Sequence, residues 1–256
     1  VIHTEIPTME SLHLPVPLLE CWARRPHGLI LVTGPTGCGK STTVAAMLEW
    51  MNHWLEGHIV TIEEPIEYLF ASKTSLITQR EIPEDVPNYE EGLRSALRQS
   101  PDVIFMGEIR DFESARIAVQ AAETGHVVLT TMHTSTVVET MERLTNLMPS
   151  EERHGVLSLL ASQLIGVLTQ KLIASETGGR HLITEHFQNE GATRDWIQEM
   201  DYTRLADFIS GNQSGASSDF RRSLLDAWRD GAVSRQTVLD SAANPQEMER
   251  LMRGVS

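Results

Sequence analysis

Gly34-Pro35-Thr36-Gly37-Cys38-Gly39-Lys40-Ser41 satisfies the phosphate-loop pattern G-x-x-x-x-G-K-[ST]. Its flanks suit the same chemistry. Residues 29–33, Leu-Ile-Leu-Val-Thr, are a short apolar run of the kind that makes a buried strand. Residues 42–54 read as a helix. A glycine-rich turn between strand and helix bares backbone N–H groups and points a helix N-terminus at the ligand, which favours a polyphosphate. The expected nucleotide-binding set is Gly34, Pro35, Thr36, Gly37, Cys38, Gly39, Lys40, Ser41 and Thr42. Within it Lys40 reaches the β- and γ-phosphates and Ser41 ligates Mg²⁺.

Outward from the loop, strands and helices alternate. Strands are expected at 58–62, 103–106, 127–132, 171–174 and 181–186. Helices are expected at 18–25, 89–99, 112–123, 136–147 and 153–168. Residues 63–88 read as turn-rich because of Pro65, Pro83 and Pro87. Gly178-Gly179 reads as a hairpin turn. From about residue 193 the chain is helical and polar, with a Ser/Gly-rich loop at 211–218. Interleaving of this kind implies an α/β fold with a parallel sheet covered on both faces. Ligands of such sheets bind at the carboxyl ends of the strands. The phosphate loop, Glu63, Glu108 and His133 all fall there.

Those positions carry the candidate chemistry. Pro101-Asp102-Val103-Ile104-Phe105-Met106-Gly107-Glu108 is an apolar strand tipped by an acid, which can hold the Mg²⁺ shell or orient attacking water. A solvated strand-tip Glu has the same pattern, and the phosphate loop favours the functional reading. Thr61-Ile62-Glu63-Glu64-Pro65-Ile66-Glu67-Tyr68 places three carboxylates within five residues after a strand. Phosphoryl transfer is mostly positioning and charge neutralisation, so one well-aimed carboxylate suffices. His133 ends the 127–132 strand at the phosphate end, whereas His126 precedes its other end and cannot reach the same point. Trp50 and Trp54, at i and i+4, read as core packing.

Composition narrows the classes. With 256 residues and 41% hydrophobic side chains, the chain suits one sizeable α/β core plus a smaller appendage. A net charge of −14 is poorly suited to wrapping nucleic acid, so no nucleic-acid partner is expected. Only Cys21 and Cys38 occur, which argues against a disulfide framework and fits a reducing compartment. No apolar run approaches the ~20 residues of a membrane span, so no transmembrane segment is expected. The chain opens on Val1 rather than Met, as expected of a piece of a longer protein.

Four ordered boxes resemble one family. Residues 34–43, 61–68, 101–111 and 124–134 are similar to the Walker A, Asp, Walker B and His boxes of the secretion-superfamily ATPases that drive type II secretion and type IV pili. Gln79-Arg80-Glu81 and Leu93-Arg94-Ser95-Ala96-Leu97-Arg98 resemble family segments too. The absence of cysteine after Cys38, with Thr169-Gln170-Lys171-Leu172 and Gly178-Gly179-Arg180, resembles the retraction branch of twitching-motility ATPases.

That resemblance implies a RecA-like P-loop ATPase core at 17–187, a C-terminal helical region at 188–256, and residues 1–16 as the linker from an upstream PAS-like domain. It implies ATP and Mg²⁺ as ligands, a homo-hexamer, an inner-membrane pilus or secretion platform protein as partner, and a cytoplasmic location at the inner membrane. The implied function is ATP hydrolysis powering pilus retraction. The alternatives are a related type IV secretion or conjugation ATPase and a nucleotide-binding regulatory ring subunit. The implied roles are Glu63 as catalytic base, Glu108 acting on Mg²⁺ through water, His133 at the γ-phosphate and Glu67 as support. Arg80, Arg94, Arg98 and Arg110 are candidates for charge stabilisation, within the chain or across a subunit boundary. Two departures stand out. Glu64 replaces the family's Asp, and Pro26-His27-Gly28 replaces Pro-Arg-Gly, although a neutral His cannot stand in for an always-charged guanidinium.

Overall fold

Leu29 and Leu31 are buried on one side of a sheet, and Ile30 and Val32 on the other. That alternation, with both sets fully buried, requires helices on both faces. The computed structural model describes residues 2–211 and 215–254 and shows this arrangement. Its strands are β1 (Gly28–Thr33), β2 (His58–Glu63), β3 (Leu76–Glu81), β4 (Val103–Met106), β5 (Val127–Met132), β6 (Leu164–Ala174) and β7 (Arg180–Gln188). They form one sheet in the order β3-β2-β4-β5-β1-β6-β7. Every neighbouring pair is parallel except β6 and β7, which are antiparallel.

The helices sort by face. α1 (Val16–Ala23) and α2 (Lys40–Asn52) bury Leu19, Trp22, Val44 and Met47 against Ile30, Val32, Ile59 and Phe105. α3 (Tyr89–Leu97), α4 (Phe112–Glu123), α5 (Val137–Leu147) and α6 (Ser150–Gln163) cover the opposite face, where Leu29, Ile62, Ile104 and Val128 point. α7 (Thr193–Glu199) and α8 (Tyr202–Gly211) join that core through Ile197, Leu205 and Ile209. α9 (Phe220–Arg229), α10 (Arg235–Ser241) and α11 (Pro245–Met252) instead close a small core of their own with Ile183 of β7. The segment before α1 packs on the molecule, with Met9 and Leu14 buried and His3 bridging to Tyr68.

The α/β reading holds, and two local expectations are corrected. The 63–88 stretch contains β3, an edge strand pairing with β2 from His58↔Leu76 to Glu63↔Glu81. Its Leu-Ile-Thr-Gln-Arg-Glu sequence is half exposed and polar, so it lacks the apolar signature of an interior strand. The helix expected at 153–168 ends at Gln163, and β6 begins at Leu164. A short apolar run suits helix or strand equally from periodicity alone. Here parallel pairing with β1 wins, and Gly166 leaves room for the Trp22 ring to press on the strand. The Gly178-Gly179 hairpin is present but longer than expected, pairing Ala174 with Arg180 and extending to Gly166 with Gln188. The Ser/Gly-rich loop at 211–218 falls partly outside the described residues.

Candidate active site

The phosphate loop closes β1 onto α2. Gly37 and Gly39 adopt φ of 77° and 92°, the left-handed region that glycine enters without steric cost, and Gly39 is the N-cap of α2. Gly34, at φ 145°, is required for a second reason as well. A Cβ there would stand 2.5 Å from both the Cys38 sulfur and the Gln170 carbonyl oxygen. Cys38 is buried against that wall, and burial raises its thiol pKa. Lys40 Nζ donates to the Gly34 and Pro35 carbonyls at 2.9 and 3.1 Å, and desolvation lowers its pKa.

The chain between β2 and β3 folds over the start of α2. Ser41 Oγ donates to Glu67 Oε1 at 2.6 Å, and the Thr42 and Tyr68 hydroxyls are 3.0 Å apart. Glu63 ends β2 with its carboxylate mostly buried. Its Oε1 accepts from Thr61 Oγ1 at 2.6 Å and from Gln79 Nε2 at 3.2 Å. Burial holds the Glu63 pKa above the ordinary carboxylate range, and these hydrogen bonds oppose the shift only in part.

Beyond the tip of β4, Glu108 faces two partners. Arg110 pairs with it through Nε and with Glu64 through Nη1, the latter at 2.7 Å. His133 Nε2 lies 2.8 Å from Glu108 Oε2, while Nδ1 lies 3.4 Å from Lys40 Nζ. The ammonium can only donate, so Nδ1 is the acceptor and Nε2 carries the proton given to Glu108. Burial first, then the positive charges of Lys40, Arg110 and Arg143, keep the His133 pKa low, consistent with neutral imidazole. Tyr89, whose ring is 5.9 Å from the Arg110 guanidinium, has its phenol pushed up to about 12 by burial. Gly107 accommodates it, because a Cβ at 107 would meet the Tyr89 hydroxyl at 2.6 Å.

Lys40, Ser41, Glu63, Glu108 and His133 thus line one cleft of about 560 Å³. Of the four candidate arginines only Arg110 reaches it. Arg80 donates to Ser95 Oγ at 2.8 Å, Arg94 pairs with Glu90 at 2.6 Å, and Arg98 is the exposed C-cap of α3. His27 is exposed immediately before β1, at the end of the sheet away from the loop, with Nδ1 3.1 Å from Gln163 Oε1. Trp50 and Trp54 stack edge to face at 5.3 Å with the Arg24 guanidinium over both rings. Tyr89 escaped the motif reading, and Gln79 entered it only within the Gln79-Arg80-Glu81 segment, with no role of its own. Tyr89 lines the cleft through the docking of α3, and Gln79 reaches Glu63 through the pairing of β3, placements that no local pattern announces.

The donor set fits Mg²⁺ in a phosphate site. Among the described residues no group of three or more His, Cys, Asp or Glu side chains could hold a metal alone. Mg²⁺ bound with phosphates keeps several waters and takes one or two protein oxygens. Ser41, held by Glu67, and Glu108 supply hard oxygens of that kind.

Residues 5–236 match the family model described as type II/IV secretion system protein. The chain belongs to that family. Within it, the chain is 42% identical over 224 residues to the type IV pilus retractation ATPase PilT of Pseudomonas aeruginosa, covering 86% of this chain and 64% of that protein. It is 33% identical to the type IV pilus ATPase PilU of the same organism, covering 98% and 66%. A crystal structure of the pilus retraction motor PilT with bound ADP superimposes with a TM-score of 0.90 at 38% identity, covering 98% of this chain and 71% of the other. The chain therefore spans about two thirds of the length of these curated relatives. Among the described residues no helix is long and apolar enough to cross a membrane.

Proposed function

We propose that the chain is the ATPase core of a motor powering type IV pilus retraction, with 17–187 as the motor core and 188–256 as a C-terminal helical region. The observation that carries the reading is the single cleft in which the phosphate loop faces Glu63, Glu108 and His133. The similarity to a retraction ATPase over 86% of the chain supplies the cargo.

Each residue then has a task. The backbone of Gly37, Cys38 and Gly39 cradles the phosphates. Lys40 exchanges its bonds to the Gly34 and Pro35 carbonyls for phosphate oxygens. Glu63, ionised, takes a proton from the attacking water through the oxygen left free by Thr61 and Gln79. His133, neutral, stands beside Lys40 to meet the terminal phosphate, and Glu108 orients it. Mg²⁺ held by Ser41, and through water by Glu108, neutralises charge on the phosphates when bound. Arg110 holds Glu64 and Glu108 in place. A homo-hexamer acting on an inner-membrane platform protein from the cytoplasmic side completes the reading.

Magnesium-dependent phosphate release by the full-length protein tests it. Turnover is expected, with loss in Lys40→Ala and Glu108→Ala. ATP binding without phosphate release above the Lys40→Ala background sinks the motor reading. That outcome would favour a nucleotide-binding ring subunit, the reading that His27 supports, since binding needs no trans arginine. Turnover coupled to another secretion cargo would favour a related type IV secretion ATPase.

A further inference from the structure

Gln79 lies outside all four boxes, yet it makes three side-chain hydrogen bonds. Its Nε2 donates to Glu63 Oε1 at 3.2 Å and to the Tyr68 carbonyl at 2.8 Å, and its Oε1 accepts from the Phe70 N–H at 3.0 Å. The amide orientation follows from those partners. Reversing it would set an oxygen against a carboxylate and a carbonyl. Two donors and one acceptor on one flexible stem of this reach are the inventory of glutamine, and glutamate cannot supply the donors.

The placement has a structural cause. β3 pairs with β2 so that Gln79 lies opposite Thr61. Gln79 and Glu81 share one face of β3, and both reach the crossover chain, Glu81 Oε2 accepting from the Ile66 N–H at 3.2 Å. Gln79 also donates to Glu63. Thr61 and Gln79 both donate to the same oxygen, Oε1, and neither side chain occupies Oε2.

We propose that Gln79 is a positioning residue for Glu63: it fixes which carboxylate oxygen faces the attacking water and ties that orientation to the segment carrying Glu67 and Tyr68. The inference rests on the reading of Glu63 as the base. The titratable groups around Glu63 are Glu67 on the crossover, whose backbone N–H lowers the Glu63 pKa while its charge raises it, Glu81, the register partner of Glu63 on β3, and Tyr89 on α3, beyond which lies Arg110. Thr61 and Gln79 are the neutral side-chain donors to Glu63. The Gln79 hydrogen bond favours the ionised base, so its removal carries the pKa further up.

Single-turnover ATP hydrolysis by the full-length protein against pH, with ATP affinity measured separately, tests this. Gln79→Met removes all three bonds at similar length, and Gln79→Glu keeps the acceptor while adding a like charge. The hydrolysis rate is expected to fall about tenfold in Gln79→Met and further in Gln79→Glu, with ATP Kd within about twofold. The acid limb is expected to move to higher pH, by roughly one to three units in Gln79→Glu. In a Glu63→Gln background Gln79→Met is expected to cost nothing more, because its effect passes through Glu63. An unmoved acid limb in both variants, or an undiminished cost in that background, overturns the proposal while leaving the base reading intact. Full hydrolysis by Glu63→Gln alone removes the base reading and this inference with it.

Discussion

The two ends of β5 carry one histidine each, and they differ in everything but residue type. His133, following the carboxyl end, lies beside Lys40 and Glu108. His126, preceding the amino end, donates through Nδ1 to the Ala121 carbonyl at 2.9 Å and ties the end of α4 to the strand. The contrast extends across the sheet. At the amino ends, polar groups close local contacts, as where Asp102 accepts from the His58 N–H at 2.8 Å and His126 O accepts from the Gly28 N–H at 3.0 Å. At the carboxyl ends, charged and polar groups from four different segments face one another across a cleft. Parallel strands produce this asymmetry. The turns entering helices all lie at one end, and they present N–H groups to a shared space.

The largest expected effect is at Glu63. Glu63→Gln should lower the single-turnover rate by roughly 10²–10⁴-fold while keeping ATP affinity, as measured by quenched-flow and equilibrium binding. Lys40→Ala should follow, with about 10²–10³ lost from phosphate release and weaker nucleotide binding.

His133→Ala and His126→Ala, assayed side by side, test the asymmetry most directly. A hydrogen bond to a charged group is worth about 1.5–3 kcal/mol, or roughly 10- to 100-fold in rate, so His133→Ala should lose that much. His126→Ala should stay within about twofold in rate and lose about 1 kcal/mol of stability in denaturant unfolding. Equal kinetic losses in the two variants would break the comparison.

The pH profile sharpens it. Glu63 must be ionised to accept a proton, and burial raises its pKa. The rate should therefore rise with pH through an acid limb lying above the ordinary carboxylate range. An acid limb at the value of an exposed carboxylate would argue that another group is the base. The smallest effect on nucleotide chemistry is expected away from the cleft. Gly166→Ala puts a methyl against the Trp22 ring, and should cost about 1–3 kcal/mol of stability while ATP affinity is unchanged.

Local chemistry explains which parts were legible. The phosphate loop is readable because its conformation depends on glycines within the loop itself. β4 and β5 are readable because buried strands of a parallel sheet are apolar on both faces. β3 was not, since an edge strand paired on one side keeps polar residues, and Pro83 and Pro87 nearby read as turns. The start of β6 was missed because 164–168 is apolar throughout, which suits either element until β1 is known to lie beside it. Four arginines were equally eligible from charge alone. Only docking against Glu64, Glu108 and Tyr89 distinguishes Arg110.

The amino-acid sequence by itself determined the α/β class, the phosphate loop and the identities of its acidic and histidine companions, because each depends on residue type and spacing within a few turns of chain. The tertiary structure alone decided how those companions are held: Glu63 by Thr61 and Gln79, Ser41 by Glu67, Glu108 by Arg110 and His133. The longer of these contacts join residues 16 to 26 positions apart on different elements. A hydrogen bond needs placement to a fraction of an ångström, and only the packed sheet supplies it.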